Sequence, residues 1–134
     1  MRVVVADDQA LTREGVARIL EDAGLEVVAR AADREDLLRK VRAYKPDVAV
    51  VDIRMPPTHV DEGLTAASTI RAELPNTGVL VLSQYVEERY ALRLLANGAE
   101  GVGYLLKDRV QDVDRLVEAA AGSARADQFS IPRS

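Results

Sequence analysis

Five short apolar runs punctuate the chain, at Val3–Ala6, Leu25–Ala29, Val48–Val51, Val79–Leu82 and Gly101–Leu106. Each is too short for an ordinary helix and rich in Val or Leu, which favours strands. Four of the five show almost no polar alternation, the pattern of strands buried on both faces of a parallel sheet. The segments between them have helical period. Val16, Ile19 and Leu20 share one face, and Gly24 can end that helix in the left-handed region. Asp33 is placed to cap a second helix carrying Leu37, Leu38 and Val41, which must stop before Pro46. Leu64, Ala67, Ile70 and Leu74 make a third stripe closed by Pro75, and Ala91, Leu94 and Leu95 a fourth closed by Asn97–Gly98. Val110, Val113, Leu116, Val117 and Ala120 make a fifth, ending near Gly122. Five strand–helix units predict an α/β, doubly wound (βα)5 architecture with helices on both faces of a five-stranded parallel sheet.

Length and composition narrow the class. The 134 residues suit one domain, over residues 1–122, and the polar stretch Ser123–Ser134 reads as a tail or the start of a linker. There is no cysteine, which removes disulfides, thiolate metal sites and cysteine nucleophiles together. No apolar run approaches the roughly 20 residues of a membrane helix. The first residues lead straight into acidic ones and do not read as a signal peptide. A membrane role is therefore not expected, and the cytoplasm is the expected location. The net charge of −4, from 18 basic and 22 acidic residues, predicts no direct nucleic-acid contact by this domain, because phosphate neutralisation dominates that affinity.

The residues that follow the buried runs carry the chemistry. The first run ends in Asp7–Asp8, the third in Asp52, the fourth in Ser83 and the fifth in Lys107; only the second ends without such a group, at Ala29–Arg30. Open parallel sheets bind ligands outside the carboxyl ends of their strands. Three carboxylates gathered there repel one another unless a cation sits among them. All-oxygen ligands, with no Cys and a single His in the chain, favour Mg²⁺ or Mn²⁺ over zinc. Asp52 then has the option of accepting a phosphoryl group. Lys107 would supply a point charge and Ser83 a hydroxyl donor. Taken singly, each has a plainer reading: Asp is common in strand-to-helix turns, lysine is usually a solvated surface residue, and Ser83 would serve as a loop or cap serine. It is their matching positions that set them apart. His59, in the Pro-rich stretch Met55–Gly63, is assigned no role, and Glu87, Glu88 and Arg89 read as the solvated first turn of a helix.

Four pieces of the chain, Val-Ala-Asp7-Asp8, Val-Val-Asp52-Ile-Arg-Met-Pro56, Leu-Ser83 and Gly-Tyr104-Leu-Leu-Lys107-Asp108, occur in order, each at the end of an apolar run. Together they resemble the receiver domain of bacterial two-component response regulators, over about Arg2 to Gly122. The resemblance implies a flavodoxin-like sheet with strand order 2-1-3-4-5. It implies that Asp52 accepts phosphate from a histidine kinase. Asp8, Asp52 and the backbone carbonyl of Arg54 would ligate Mg²⁺, with Asp7 acting through water. Lys107 would pair with Asp52 and then with the phosphoryl group. Ser83 and Tyr104 would report phosphorylation to the surface formed by the fourth helix, fifth strand and fifth helix. The wording around Lys107 is most similar to receivers of LuxR-type (NarL/FixJ-like) regulators, which precede a helix-turn-helix DNA-binding effector domain and can form homodimers. No such effector domain lies within these 134 residues.

Three departures stand out. The stretch Pro56–Glu62 is longer than the usual loop from Met-Pro to Gly, Gln84 stands where a small residue is common and would crowd an incoming phosphoryl group, and Asp108 replaces a frequent Pro, so no cis bond is expected there. Two other functions compete. An aspartate-nucleophile phosphatase of haloacid-dehalogenase type uses a similar residue set, but its Asp-x-Asp lies on the first strand, where this chain has Asp7-Asp8-Gln9. A phosphate-independent pseudo-receiver is disfavoured by the intact set of Asp7, Asp8, Asp52, Ser83 and Lys107. The receiver reading makes the chain a self-phosphorylating and self-dephosphorylating switch rather than an enzyme.

Overall fold

The computed structural model describes residues 1–57, 61–84, 102–107 and 113–124. The chain order is β1 (Arg2–Ala6), α1 (Ala10–Asp22), β2 (Glu26–Ala31), α2 (Arg34–Tyr44), β3 (Val48–Asp52), α3 (Glu62–Glu73), β4 (Gly78–Ser83), β5 (Val102–Leu106) and α4 (Val113–Ala124). All five strands run parallel in one sheet of order β2-β1-β3-β4-β5. Every residue of β3 and β4 is buried, as unbroken apolar runs require when helices cover both faces.

Alternate side chains of each strand go to opposite sides. Val4, Ala49, Val51, Val79, Val81, Val102 and Tyr104 meet Leu37, Leu38 and Val41 of α2 and Leu64, Ala67 and Ile70 of α3. Val3, Val5, Val48, Val50, Leu80, Leu82 and Leu105 meet Val16, Ala17 and Leu20 of α1 and Ala120 of α4. The doubly wound prediction therefore holds in its layers, and Leu74 packs on the first of these cores as its stripe foretold.

Element ends follow local chemistry. Gly24 takes φ +93°, stopping α1 where the sequence placed the stop. The Asp33 carboxylate accepts a hydrogen bond from the Asp36 N–H at 2.8 Å, capping α2. Lys45, at φ 47°, ends that helix just before Pro46. Strand ends differ by a residue here and there, and two boundaries have a wider bearing. β2 starts at Glu26 and continues through Arg30 to Ala31, because this edge strand is only half buried and tolerates an outward charge. The Arg30 guanidinium reaches Glu14 at 2.9 Å and Glu21 at 3.4 Å, tying the strand to α1. The last helix ends at Ala124 rather than near Gly122. The helix expected around Ala91–Leu95 and Asn97–Gly98, the expected first turn at Glu87–Arg89, and also Val110, His59 and Asp108, lie outside the described residues.

Candidate functional site

Parallel strands in matched register deliver their last residues to one edge. Ala6 is opposite Val51, Asp52 opposite Leu82, and Ser83 opposite Leu106. Lys107 follows β5 directly. Beyond the last paired residues, backbone bonds continue the order: Asp7 N–H donates to Ala31 O at 3.0 Å and Ile53 N–H to Leu82 O at 3.0 Å. The turn after β1 is held by its own groups. Asp7 Oδ1 accepts from the Gln9 N–H at 2.9 Å, and Arg13 Nη1 donates to the Asp7 carbonyl at 3.0 Å. Asp52 Oδ1 accepts a long bond from the Arg54 N–H at 3.4 Å.

Carboxylate oxygens of Asp7, Asp8 and Asp52 all lie within 4.8 Å of one another. The Lys107 ammonium stands 3.3 Å from Asp7 Oδ2 and 3.3 Å from Asp52 Oδ2. Asp7 is 2% exposed and Asp52 5%, while Asp8 is only partly buried. Burial first, and then the neighbouring Asp7 charge, push the Asp52 carboxyl up to about 6, with Lys107 pulling the other way. One ammonium among three carboxylates leaves negative charge in excess. Asp7 Oδ2 is buried and, apart from its ion pair, makes no hydrogen bond. This all-oxygen cluster, partly buried and under-neutralised, fits a hard divalent cation such as Mg²⁺ or Mn²⁺.

The structure thus brings Asp7, Asp8, Asp52 and Lys107 together. Ser83 lies on the same edge and is 1% exposed, whereas Gln84 beside it is exposed. The side chain of Arg54 is exposed, while its backbone N–H faces Asp52 Oδ1. Tyr104 is 2% exposed, packed within the core on the α2 and α3 side and paired with Val81 across the strands. A half-exposed strand aromatic would have been the plainer expectation for it. Two residues at the site escaped the sequence reading. Arg13 bonds the Asp7 carbonyl, and Gly63 lies against the backbone of Asp52. Arg13 carries no signal beyond its helical position. Gly63 had one, as a glycine in the first turn of a helix, where glycine is otherwise unfavourable.

The family described as response regulator receiver domain matches residues 3–121. The oxygen regulatory protein NreC of Staphylococcus haemolyticus is 43% identical over 109 residues, covering 81% of this chain and 48% of that protein. NreC of Staphylococcus carnosus is 37% identical over 134 residues, covering 99% of this chain and 59% of that protein. The chain therefore spans about half the length of these curated relatives. Among solved structures, the signal receiver domain assigned to the response regulator NarL of Mycobacterium tuberculosis superposes with a TM-score of 0.78 at 40% identity, covering 92% of this chain and 95% of that one. A LuxR-family two-component response regulator from Aurantimonas sp. SI85-9A1 superposes with a TM-score of 0.77 at 28% identity, covering 98% of this chain and 89% of that one. Among the described residues, no helix is long and apolar enough to cross a membrane.

Proposed function

Because this chain belongs to the response regulator receiver domain family, of the NarL and NreC type, we propose that it is a switch thrown by phosphorylation of Asp52. The observation that carries the reading is the Lys107 ammonium, 3.3 Å from a carboxylate oxygen of both Asp52 and Asp7. A lysine held there offsets part of the charge of two buried acids at rest and is in place to receive phosphoryl oxygens afterwards.

In the proposed step the P–N bond of a kinase phosphohistidine breaks, or the P–O bond of a small acyl phosphate. A bond forms between phosphorus and an Asp52 carboxylate oxygen. The electron pair of the broken bond leaves with the donor: the histidine imidazole takes a proton from solvent, whereas the carboxylate of an acyl phosphate leaves as the anion. Asp52 is the nucleophile, Lys107 steadies the transferred oxygens, and the Ser83 hydroxyl donates to one of them. Asp8, Asp52 and the Arg54 carbonyl would hold Mg²⁺ or Mn²⁺, with Asp7 through water. The ion supplies the charge that lets phosphoryl oxygens approach a carboxylate. Ser83 and Tyr104 form the switch pair, the hydroxyl turning toward the phosphoryl group and the ring responding from the neighbouring strand. The partners are a histidine kinase, a helix-turn-helix effector domain in the longer protein, and a second copy as homodimer partner. The domain acts in the cytoplasm, without contacting nucleic acid itself, and turns over only its own acyl phosphate.

Intact mass after incubation with acetyl phosphate and Mg²⁺ tests this. The chain should gain one phosphoryl group, and Asp52→Asn should gain none. Gain at the native rate in Asp52→Asn removes Asp52 as acceptor. Steady turnover of small phosphate esters would instead support the phosphatase reading.

A further inference from the structure

Gly63 is buried in the first turn of α3, at the end of the long loop that leaves the pocket after Met55. Its N–H donates to Ile53 O at 2.8 Å. A Cβ placed on Gly63 would stand 2.7 Å from Ile53 Cα and 2.8 Å from the Asp52 carbonyl carbon, and nearer still to the Asp52 carbonyl oxygen. All three are backbone atoms, so no flexible side chain could move aside. Gly15 and Gly24 differ: neither has an atom within 4 Å of such a Cβ. Nor is there slack on either side of the contact. Leu64, Ala66, Ala67 and Ile70 anchor α3 in the core, each no more than 2% exposed. Ile53 and Met55 anchor the strand end, at 1% and 0%.

We propose that Gly63 is a positioning residue: it seats α3 directly on the backbone of Asp52 and Ile53 and so sets where the Asp52 carboxylate and the Arg54 carbonyl lie. The inference rests on the reading of Asp52 as phosphoacceptor. It also accounts for how the unusual loop is accommodated. The chain that carries this loop is brought back at Gly63 by one hydrogen bond to Ile53, at the end of β3. The loop's length therefore does not decide the place of Asp52; the seat does. A side chain at position 63 must part helix from strand end, and the atoms that shift are those that hold the metal and the phosphoryl group. Displacement of reacting groups on the order of 1 Å lowers rates about a hundredfold.

The test compares native chain, Gly63→Ala and Leu20→Val, the last a core change on α1, on the other face of the sheet from α3, that lowers stability without touching the seat. Mg²⁺ affinity is measured by calorimetry, and Asp52 phosphorylation by intact mass at saturating Mg²⁺ and acetyl phosphate. Gly63→Ala should lose about tenfold in Mg²⁺ affinity and about a hundredfold in phosphorylation rate. Leu20→Val should keep both. Native values in Gly63→Ala, or equal losses in Leu20→Val, overturn the seat. Failure of the native chain itself to take a phosphoryl group is a different result, and removes Asp52 as acceptor while the Mg²⁺ comparison still judges the seat. Should Gly63→Ala not fold, the native chain decides by amide NMR. The Gly63 N–H should exchange slowly and shift when Mg²⁺ saturates; a fast-exchanging amide that Mg²⁺ leaves unmoved overturns the proposal.

Discussion

Asp52 sits where its ionised form is disfavoured: it is 5% exposed, beside Asp7, and its carboxyl is pushed up to about 6. An acid whose pKa is raised on folding favours the folded state only while protonated. Between about pH 4 and 6 the unfolded chain ionises this group before the folded one does, so the metal-free fold should lose stability as pH rises through that window and level off above it. The full effect is on the order of 3 kcal/mol. Asp52→Asn removes the titration, so its urea midpoint should fall less than the native one between pH 4 and 6. Parallel pH profiles for the two proteins would sink this account. Metal binding needs the ionised carboxylate, so Mg²⁺ affinity should weaken below the same pH.

At the scale of elements, α2 shows how one side chain can set a helix end. The Asp33 side chain caps its N-terminus, with Glu35 and Asp36 in the first turn also favourably placed near the positive end of the helix. Asp33→Ala should destabilise the chain by about 1 kcal/mol, read from chemical denaturation. The bidentate pair of Arg42 with Glu73, at 2.9 and 3.0 Å, joins α2 to α3 in solvent. Arg42→Ala should therefore matter less, since a solvated pair is screened. If Arg42→Ala proves the more damaging of the two, the surface bridge has been undervalued. β5 presents the opposite case. Tyr104 fills space among Val79, Val81 and Val102, so Tyr104→Ala should cost about 3–5 kcal/mol through the cavity it leaves. Tyr104→Leu, which keeps an apolar side chain there, is the better probe of the switch. It should be phosphorylated at the native rate yet lose the phosphorylation-dependent change in association, measured by light scattering. An unchanged response would remove Tyr104 from the relay.

For the molecule as a whole, the acidic edge would make folding and the proposed metal binding one equilibrium. Unfolding disperses Asp7, Asp8 and Asp52, so only the folded chain offers the cluster. At a hundredfold excess over its dissociation constant, Mg²⁺ should add about 2.7 kcal/mol to stability. Asp8→Ala should melt at nearly the same temperature with and without the ion. An equal Mg²⁺ response in both proteins would show that the ion acts elsewhere. The same linkage would govern the proposed switch: a phosphoryl group would bias the fold only by its preference for one arrangement of Ser83 and Tyr104, and partner binding would favour phosphorylation reciprocally.

Much of this was legible in the chain alone. The runs Val48–Val51 and Val79–Leu82 suit strands buried on both faces, because they are short, rich in Val and without alternation, and so have no solvent face to offer. Gly24, Asp33 and Pro46 act through local backbone chemistry, so their helix ends could be read before any packing was known. The strand-end positions of Asp7, Asp8, Asp52, Ser83 and Lys107 followed from where each run stops. Tertiary structure decided the rest. That Lys107 stands equally near Asp7 and Asp52 depends on β1, β3 and β5 being aligned across the sheet, with β4 between β3 and β5, a relation among residues far apart in sequence. Tyr104 reads the same whether buried or half exposed; its place in the core comes from the helix-covered face it happens to point into. Gly63 reads only as an unfavourable helix residue. The need for glycine appears once α3 is brought against the backbone of Asp52, because that need is an excluded volume, and excluded volume belongs to the packed chain and not to the order of its residues.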